Sequence, residues 1–200
     1  MKHEEISQKA IIAVTNRQLC HGDFLQQIER LAASGVAAVI LREKDLSTAA
    51  YLKLAQQCQQ RLQHTGTALL LNRTDAARQL GIREIQLSFP VFAQQRGQLQ
   101  DFARVLVSVH TVEEATQAAQ WGAHGILAGH IFATDCKKGI PPRGLEFLGQ
   151  ICAAVDIPVY AIGGITAQTF PLIQLSQAAG ACVMSQAMQE KFFWVMYRSQ

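Results

Sequence analysis

Eight short aliphatic runs alternate with longer amphipathic segments along nearly the whole chain. That alternation is the strongest constraint on what the chain can fold into. The runs lie at 11–15, 36–41, 67–71, 84–87, 104–108, 124–128, 158–162 and 181–185. Several are apolar on consecutive residues, the pattern of a strand covered on both faces. Helical patterns lie between them. Phe24, Leu25, Ile28 and Leu31 share one helical stripe, and Tyr51, Leu52, Ala55 and Leu62 share another. Ser47 is placed to cap the second, and Thr111, with Glu114 three residues on, opens a third. The stretch 89–101 has no clear helical period, so the fourth connection is expected to be short and irregular.

Strand–helix alternation of this kind closes either into a (β/α)8 TIM barrel or into an open doubly wound sheet. No Gly-x-Gly-x-x-Gly turn follows the first run, which disfavours a dinucleotide-binding sheet. The eight units are evenly spaced and leave nothing over for a second domain. The expectation is therefore one compact α/β barrel domain spanning 1–200, minimal in size because about 250 residues is usual. With 49% hydrophobic residues the chain can bury a full core, which excludes a disordered tail. Its apolar runs are much shorter than the roughly 20 residues of a membrane span. The polar start, Met1 to Glu5, leads directly into a strand and reads as cytoplasmic, without a signal peptide. Eighteen basic and fifteen acidic residues give a net charge of +3 without a dense basic cluster. That balance argues against nucleic acid and suits a small anionic ligand. Cys20, Cys58, Cys136, Cys152 and Cys182 are scattered and lack metal-ligand spacing, as expected of reduced thiols.

The polar residues gather just after the aliphatic runs. Arg42 and Lys44 follow the second, Asn72 and Arg73 the third, and Ser108 and His110 end or follow the fifth. His130, Thr134, Cys136 and Lys137 follow the sixth, Gly163 and Gly164 the seventh, and Met184 and Ser185 close the eighth. In a (β/α)8 barrel all these positions converge on the C-terminal mouth, where active sites form. Gly163-Gly164 lets backbone approach a ligand closely, and the ends of strands 7 and 8 are the usual phosphate corner. Met184-Ser185 would add amide and hydroxyl donors there. Imidazole can both take and give a proton near neutrality. Judged alone, His130 reads better as a loop or core histidine satisfied by a backbone carbonyl, and it is a family resemblance that makes it the candidate base. Beside the Thr111 helix start, His110 reads better as a structural cap. Cys136, between Asp135 and Lys137, joins the candidate substrate-binding group by position, with a bystander thiol the better reading of its chemistry.

Together these segments resemble the thiamine-phosphate synthase family, and within it the TenI-like branch of thiazole tautomerases. Leu41-Arg42-Glu43-Lys44, Ser108-Val109-His110-Thr111, the run Gly129 to Gly139, and Pro158 to Thr166 carry the resemblance. It implies a TIM-like barrel that holds a thiazole phosphate at the strand 7 and 8 corner. In the synthases, Mg2+ and a pyrimidine pyrophosphate occupy the neighbouring half. Asn72 matches the synthase pattern, but Arg73 stands where an acid should follow it. Ser88-Phe89-Pro90 replaces the second acid, Ile40 stands where a Gln is expected, and His130 takes the place of the synthase Pro. The last change is what the tautomerase branch shows. The resemblance thus implies isomerisation of a carboxythiazole ethyl phosphate to its aromatic tautomer, with no cofactor and no metal. Arg42, Lys44 or Arg73 would hold the carboxylate, and Thr134 would help hold the phosphate. The alternatives are a thiamine-phosphate synthase and a non-catalytic phosphate-ligand-binding regulatory barrel. The segment containing Met188, Phe192, Phe193, Trp194 and Met196 reads either as a core-facing helix or as part of a homodimer contact.

Overall fold

The computed structural model describes residues 9–190 and 192. All eight aliphatic runs are strands, each bounded within two residues of its expected position: β1 (Ala10–Val14), β2 (Ala38–Leu41), β3 (Ala68–Leu71), β4 (Glu84–Ser88), β5 (Arg104–Val109), β6 (Gly125–Gly129), β7 (Val159–Ile162) and β8 (Gly180–Val183). They pair in parallel in sequence order, and β1 closes the barrel against β8 with Ala10 opposite Gly180 and Ile12 opposite Cys182.

Closure explains why the strands are apolar on consecutive residues. Alternate side chains point to opposite faces, and here both faces are covered. Ile12, Val14, Ala38, Ile40, Leu70, Leu106, Leu127 and Cys182 fill the barrel interior. Ile11, Ala13, Val39, Leu41, Leu69, Leu71, Val107 and Val183 face outward into the larger core beneath the helices. The principal helices are α1 (Phe24–Ala33), α2 (Thr48–Leu62), α3 (Thr74–Gln79), α4 (Phe89–Gln94), α5 (Val112–Gln120), α6 (Gly144–Ala154) and α7 (Phe170–Gln174). The expected caps form: Ser47 Oγ accepts from the Ala50 amide at 3.3 Å, and Thr111 Oγ1 accepts from the Glu114 amide at 3.1 Å. Burial raises the Cys58 thiol to about 12 and pushes Cys182 up as well, so both behave as small apolar core groups.

Two expectations are corrected. The fourth connection opens with a helix, α4, which carries Pro90 in its first turn. Six residues make under two turns, and Phe92 is its single buried residue, too little to write a helical period into the sequence. β8 stops at Val183, and Met184-Ser185 lies beyond it, followed by a 3₁₀ turn over Gln186–Met188. Met188 and Phe192 are buried in the outer core. Phe193, Trp194 and Met196 lie outside the described residues.

Gly149 sits within α6, where an added Cβ would meet nothing within 4 Å and φ is not positive. Glycine there only loosens the helix, so Gly149→Ala should raise stability by about 0.5–1 kcal/mol. The check is a higher urea midpoint at unchanged slope.

Candidate functional site

The β2 end is built around a buried carboxylate. Glu43 is 1% exposed. It accepts from Thr15 Oγ1 at 2.6 Å and from the Arg17 amide at 3.1 Å. Thr15 Oγ1 in turn accepts from the Arg42 amide at 3.0 Å. With Glu43 buried on one side of the chain, its neighbours Arg42 and Lys44 keep solvent contact, Arg42 half-buried and Lys44 exposed. Sequence reasoning passes over Glu43, which looks like one more surface charge in a charged loop. Its burial depends on strand β1 lying alongside, which no local pattern records.

Arg73 is half-buried and one of its nitrogens is engaged in holding the mouth together. Its Nη2 donates to the Glu43 carbonyl at 3.1 Å and to the Leu46 carbonyl at 2.7 Å, and its guanidinium lies 4.3 Å from the Tyr51 ring centre. Tyr51 in turn donates to the Leu41 carbonyl and accepts from the Asn72 amide. Arg73 thus ties the β2–α2 loop to the β3 end through Nη2. Asn72 Oδ1 is buried and has no hydrogen-bond partner among the described residues. A buried acceptor left open beside the mouth fits a ligand donor.

The charge on Lys137 reaches Lys44 from the β6–α6 loop. The Lys44 ammonium is held below its ordinary value, chiefly by the Arg42 guanidinium, with burial and Lys137 adding to the effect. An anion seated among these three cations would relieve that repulsion. Thr134 begins the 3₁₀ turn Asp135–Lys137 with no cap bond from its hydroxyl. The Cys136 side chain lies outside what the structure describes.

β6 and β7 lie side by side, with Gly129 opposite Ile162. His130 therefore follows next to Gly163, and it is 7% exposed. A Cβ on Gly163 would fall 2.4 Å from His130 Cβ, and one on Gly164 would fall 2.4 Å from the Ala133 carbonyl oxygen. Both glycines have positive φ. Packing against 130–133 is thus a full reason for Gly-Gly, alongside any ligand role. The turn also does not open a helix: α7 starts six residues later, after a Thr166–Thr169 hydroxyl cluster. β8 borders β7, with Cys182 opposite Ile162, so Met184-Ser185 leaves the barrel beside Gly163-Gly164. Ser108 Oγ accepts from the buried Gln86 amide group at 2.9 Å. His110 Nδ1 lies 2.9 Å from the Gly129 carbonyl, and its own amide donates to Glu114. This agrees with a structural role for His110.

The donor set at the β3 and β4 ends does not fit Mg2+, which takes carboxylates alongside substrate phosphates. Arg73 and the exposed Ser88 stand there. The Glu43 carboxylate is used internally, and Asp45 is paired with Arg17. Asp75 lies in the first turn of α3. Among the described residues no three His, Cys, Asp or Glu side chains cluster as metal ligands. A surface hollow of about 580 Å³ lies near Gln59, Arg83 and Glu84, away from these residues.

A closed parallel barrel whose polar side chains gather past the strand C-termini belongs to the (β/α)8 enzyme class. More narrowly, the chain belongs to the TMP-TENI family, thiamine monophosphate synthase, whose model matches residues 11–187. It is 33% identical over 190 residues to a thiamine-phosphate synthase of Syntrophomonas wolfei, covering 91% of this chain and 90% of the relative. A putative thiamine-phosphate synthase 2 of Aquifex aeolicus is 32% identical over 179 residues, covering 88% and 95%. The fold is that of a thiamine phosphate pyrophosphorylase from Pyrococcus furiosus, with a TM-score of 0.80 at 24% identity over 92% of this chain and 90% of that one. Among the described residues no helix is long and apolar enough to cross a membrane.

Proposed function

We propose that the chain is a thiazole tautomerase of thiamine biosynthesis. Its substrate would be a carboxythiazole ethyl phosphate in the non-aromatic form. The observation that carries this reading is the placement of His130 against Gly163, at the corner where (β/α)8 barrels hold phosphate, together with the cluster of cations formed by Arg42 and Lys44 after β2 and Lys137 of the β6–α6 loop. A substrate anionic at both ends would suit a mouth with these two anion sites. Phosphate would sit at Gly163, Gly164, Met184 and Ser185 with Thr134, and carboxylate at Arg42 or Lys44. Anchoring both ends sets the ring carbon against His130, and such positioning supplies much of the rate. His130 takes the proton from the ring carbon that bears the carboxylate and delivers one to the exocyclic carbon. The net change is an isomerisation driven by aromaticity.

The test incubates purified protein with the non-aromatic tautomer and follows ring aromatisation by ultraviolet absorbance. The rate should be unchanged by a chelator and by added Mg2+, because Arg73 and Ser88 stand where a magnesium site would need acids. Loss of turnover on chelation with recovery on Mg2+ would sink this reading.

The names of the similar proteins favour a second reading, thiamine-phosphate synthase. That reading requires Mg2+-dependent consumption of a pyrimidine pyrophosphate together with the thiazole phosphate, and the same protein sample can be assayed for it. Tight binding of the thiazole phosphate with neither turnover would instead indicate a regulatory barrel.

A further inference from the structure

His130 is held by its own downstream loop. Its Nε2 lies 3.3 Å from the Ile140 carbonyl oxygen. A carbonyl only accepts, so the ring nitrogen facing it carries the proton. Nδ1 has no hydrogen-bond partner among the described residues. The aim of that carbonyl follows from the sequence, because Ile140 precedes Pro141-Pro142. A proline disfavours the helical region for the residue before it, so each of the two prolines biases its predecessor toward an extended conformation and narrows its range. The loop is also fastened at both ends. The Ile140 amide donates to the Lys137 carbonyl, the Arg143 amide to the His130 carbonyl, and the Gly144 amide to the Ile131 carbonyl, each at 3.0 Å. On its other side His130 Cβ packs against Gly163, where there is no room for even one more carbon.

The second histidine of the mouth is wired the opposite way. His110 Nδ1 faces the Gly129 carbonyl at 2.9 Å, so there Nδ1 carries the proton. Two histidines flanking one peptide link are thereby set in opposite tautomers.

We propose that the Ile140 carbonyl, aimed by Pro141-Pro142, fixes neutral His130 with its proton on Nε2 and so makes Nδ1 the atom that takes the substrate's ring proton. Ile140, Pro141 and Pro142 are positioning residues in this scheme, which rests on the reading of His130 as the base. In the first half-reaction the substrate C–H bond breaks, its electron pair enters the ring system, and an N–H bond forms at Nδ1. In the second, the exocyclic double bond supplies the pair for a new C–H bond, and the proton leaves Nδ1. Nε2 keeps its proton throughout, and the imidazole returns to its starting form.

The test labels the histidine rings with 15N and records long-range 15N–1H correlations at about pH 8, where an ordinary imidazole is neutral. Signals are assigned by their loss in His130→Asn and His110→Asn. The expected result is a protonated Nε2 for His130 and a protonated Nδ1 for His110 in the same spectrum. A protonated Nδ1, or an averaged mixture, at His130 overturns the proposal. The double variant Pro141→Gly, Pro142→Gly frees the carbonyl. It should average the two His130 tautomers and lower kcat about tenfold, with KM changed by less than about twofold. Averaged tautomers with kcat unchanged would remove the positioning role. A native chain that does not aromatise the thiazole phosphate would defeat the tautomerase reading, while the spectrum would still decide the tautomer.

Discussion

His130→Asn lowers kcat for aromatisation by about 10²-fold or more and changes KM much less, since general acid–base groups typically contribute 10²–10⁴-fold. Asn keeps a polar side chain of similar reach but has no nitrogen that titrates. The anion contacts named above come from Arg42, Lys44, Lys137 and the β7–β8 corner, and Asn keeps the Cβ through which His130 packs against Gly163 in that corner. His130 is nearly buried, with its Cβ against Gly163 and its Nε2 facing the Ile140 carbonyl, so a replacement smaller than His introduces no clash. His110→Asn is the control. It removes the bond to the Gly129 carbonyl, and its effect on kcat should be the smaller of the two. Near-full kcat in His130→Asn together with loss in His110→Asn would move the base to His110 and leave the fold and substrate class untouched.

Gly180→Ala should cost about 3 kcal/mol of stability or more, the upper range of core overpacking. Gly180 pairs with Ala10 at the seam where β8 meets β1. A Cβ there would lie 1.9 Å from the Ala10 carbonyl oxygen and 2.8 Å from its carbon. The obstacle is backbone, not the tip of a flexible side chain, so relief requires moving a strand. Moving β1 against β8 strains the one pairing that closes the barrel. Thermal or urea denaturation measures the loss, with Gly149→Ala, in open space on α6, as the matched comparison. A midpoint for Gly180→Ala equal to that of the native chain would show that the seam has slack its geometry does not suggest.

The strands were legible because a barrel strand buries both faces, and that demand appears locally as consecutive apolar residues. The caps were legible too, because Ser47 and Thr111 act on amides three residues away. Convergence of the polar residues on one mouth followed from strand order and parallel direction alone. Partner-dependent features were hidden. Glu43 resembles a solvated charge until Thr15 and the Arg17 amide, 26–28 residues earlier, close on it. The sequence shows Arg73 only as a cation after β3, and its second task, holding the carbonyls of Glu43 and Leu46 through Nη2, appears only in the fold. Gly163-Gly164 read as a ligand cradle, and only the packing of 130–133 against it supplied the second reason for two glycines. The helix α4 was missed because six residues burying one aromatic carry no period to detect.

The sequence by itself determined the architecture, the end of the barrel at which chemistry can occur, and which titratable residues sit there. Those outcomes depend on periodicity and on chain order, both of which are local or topological. Tertiary structure alone decided which of those residues are open to a ligand and which are consumed in holding the mouth together. It also decided which nitrogen of His130 faces a fixed acceptor. Those outcomes turn on hydrogen bonds and contacts between strand ends far apart in the chain, set by the angle at which each loop leaves a closed barrel.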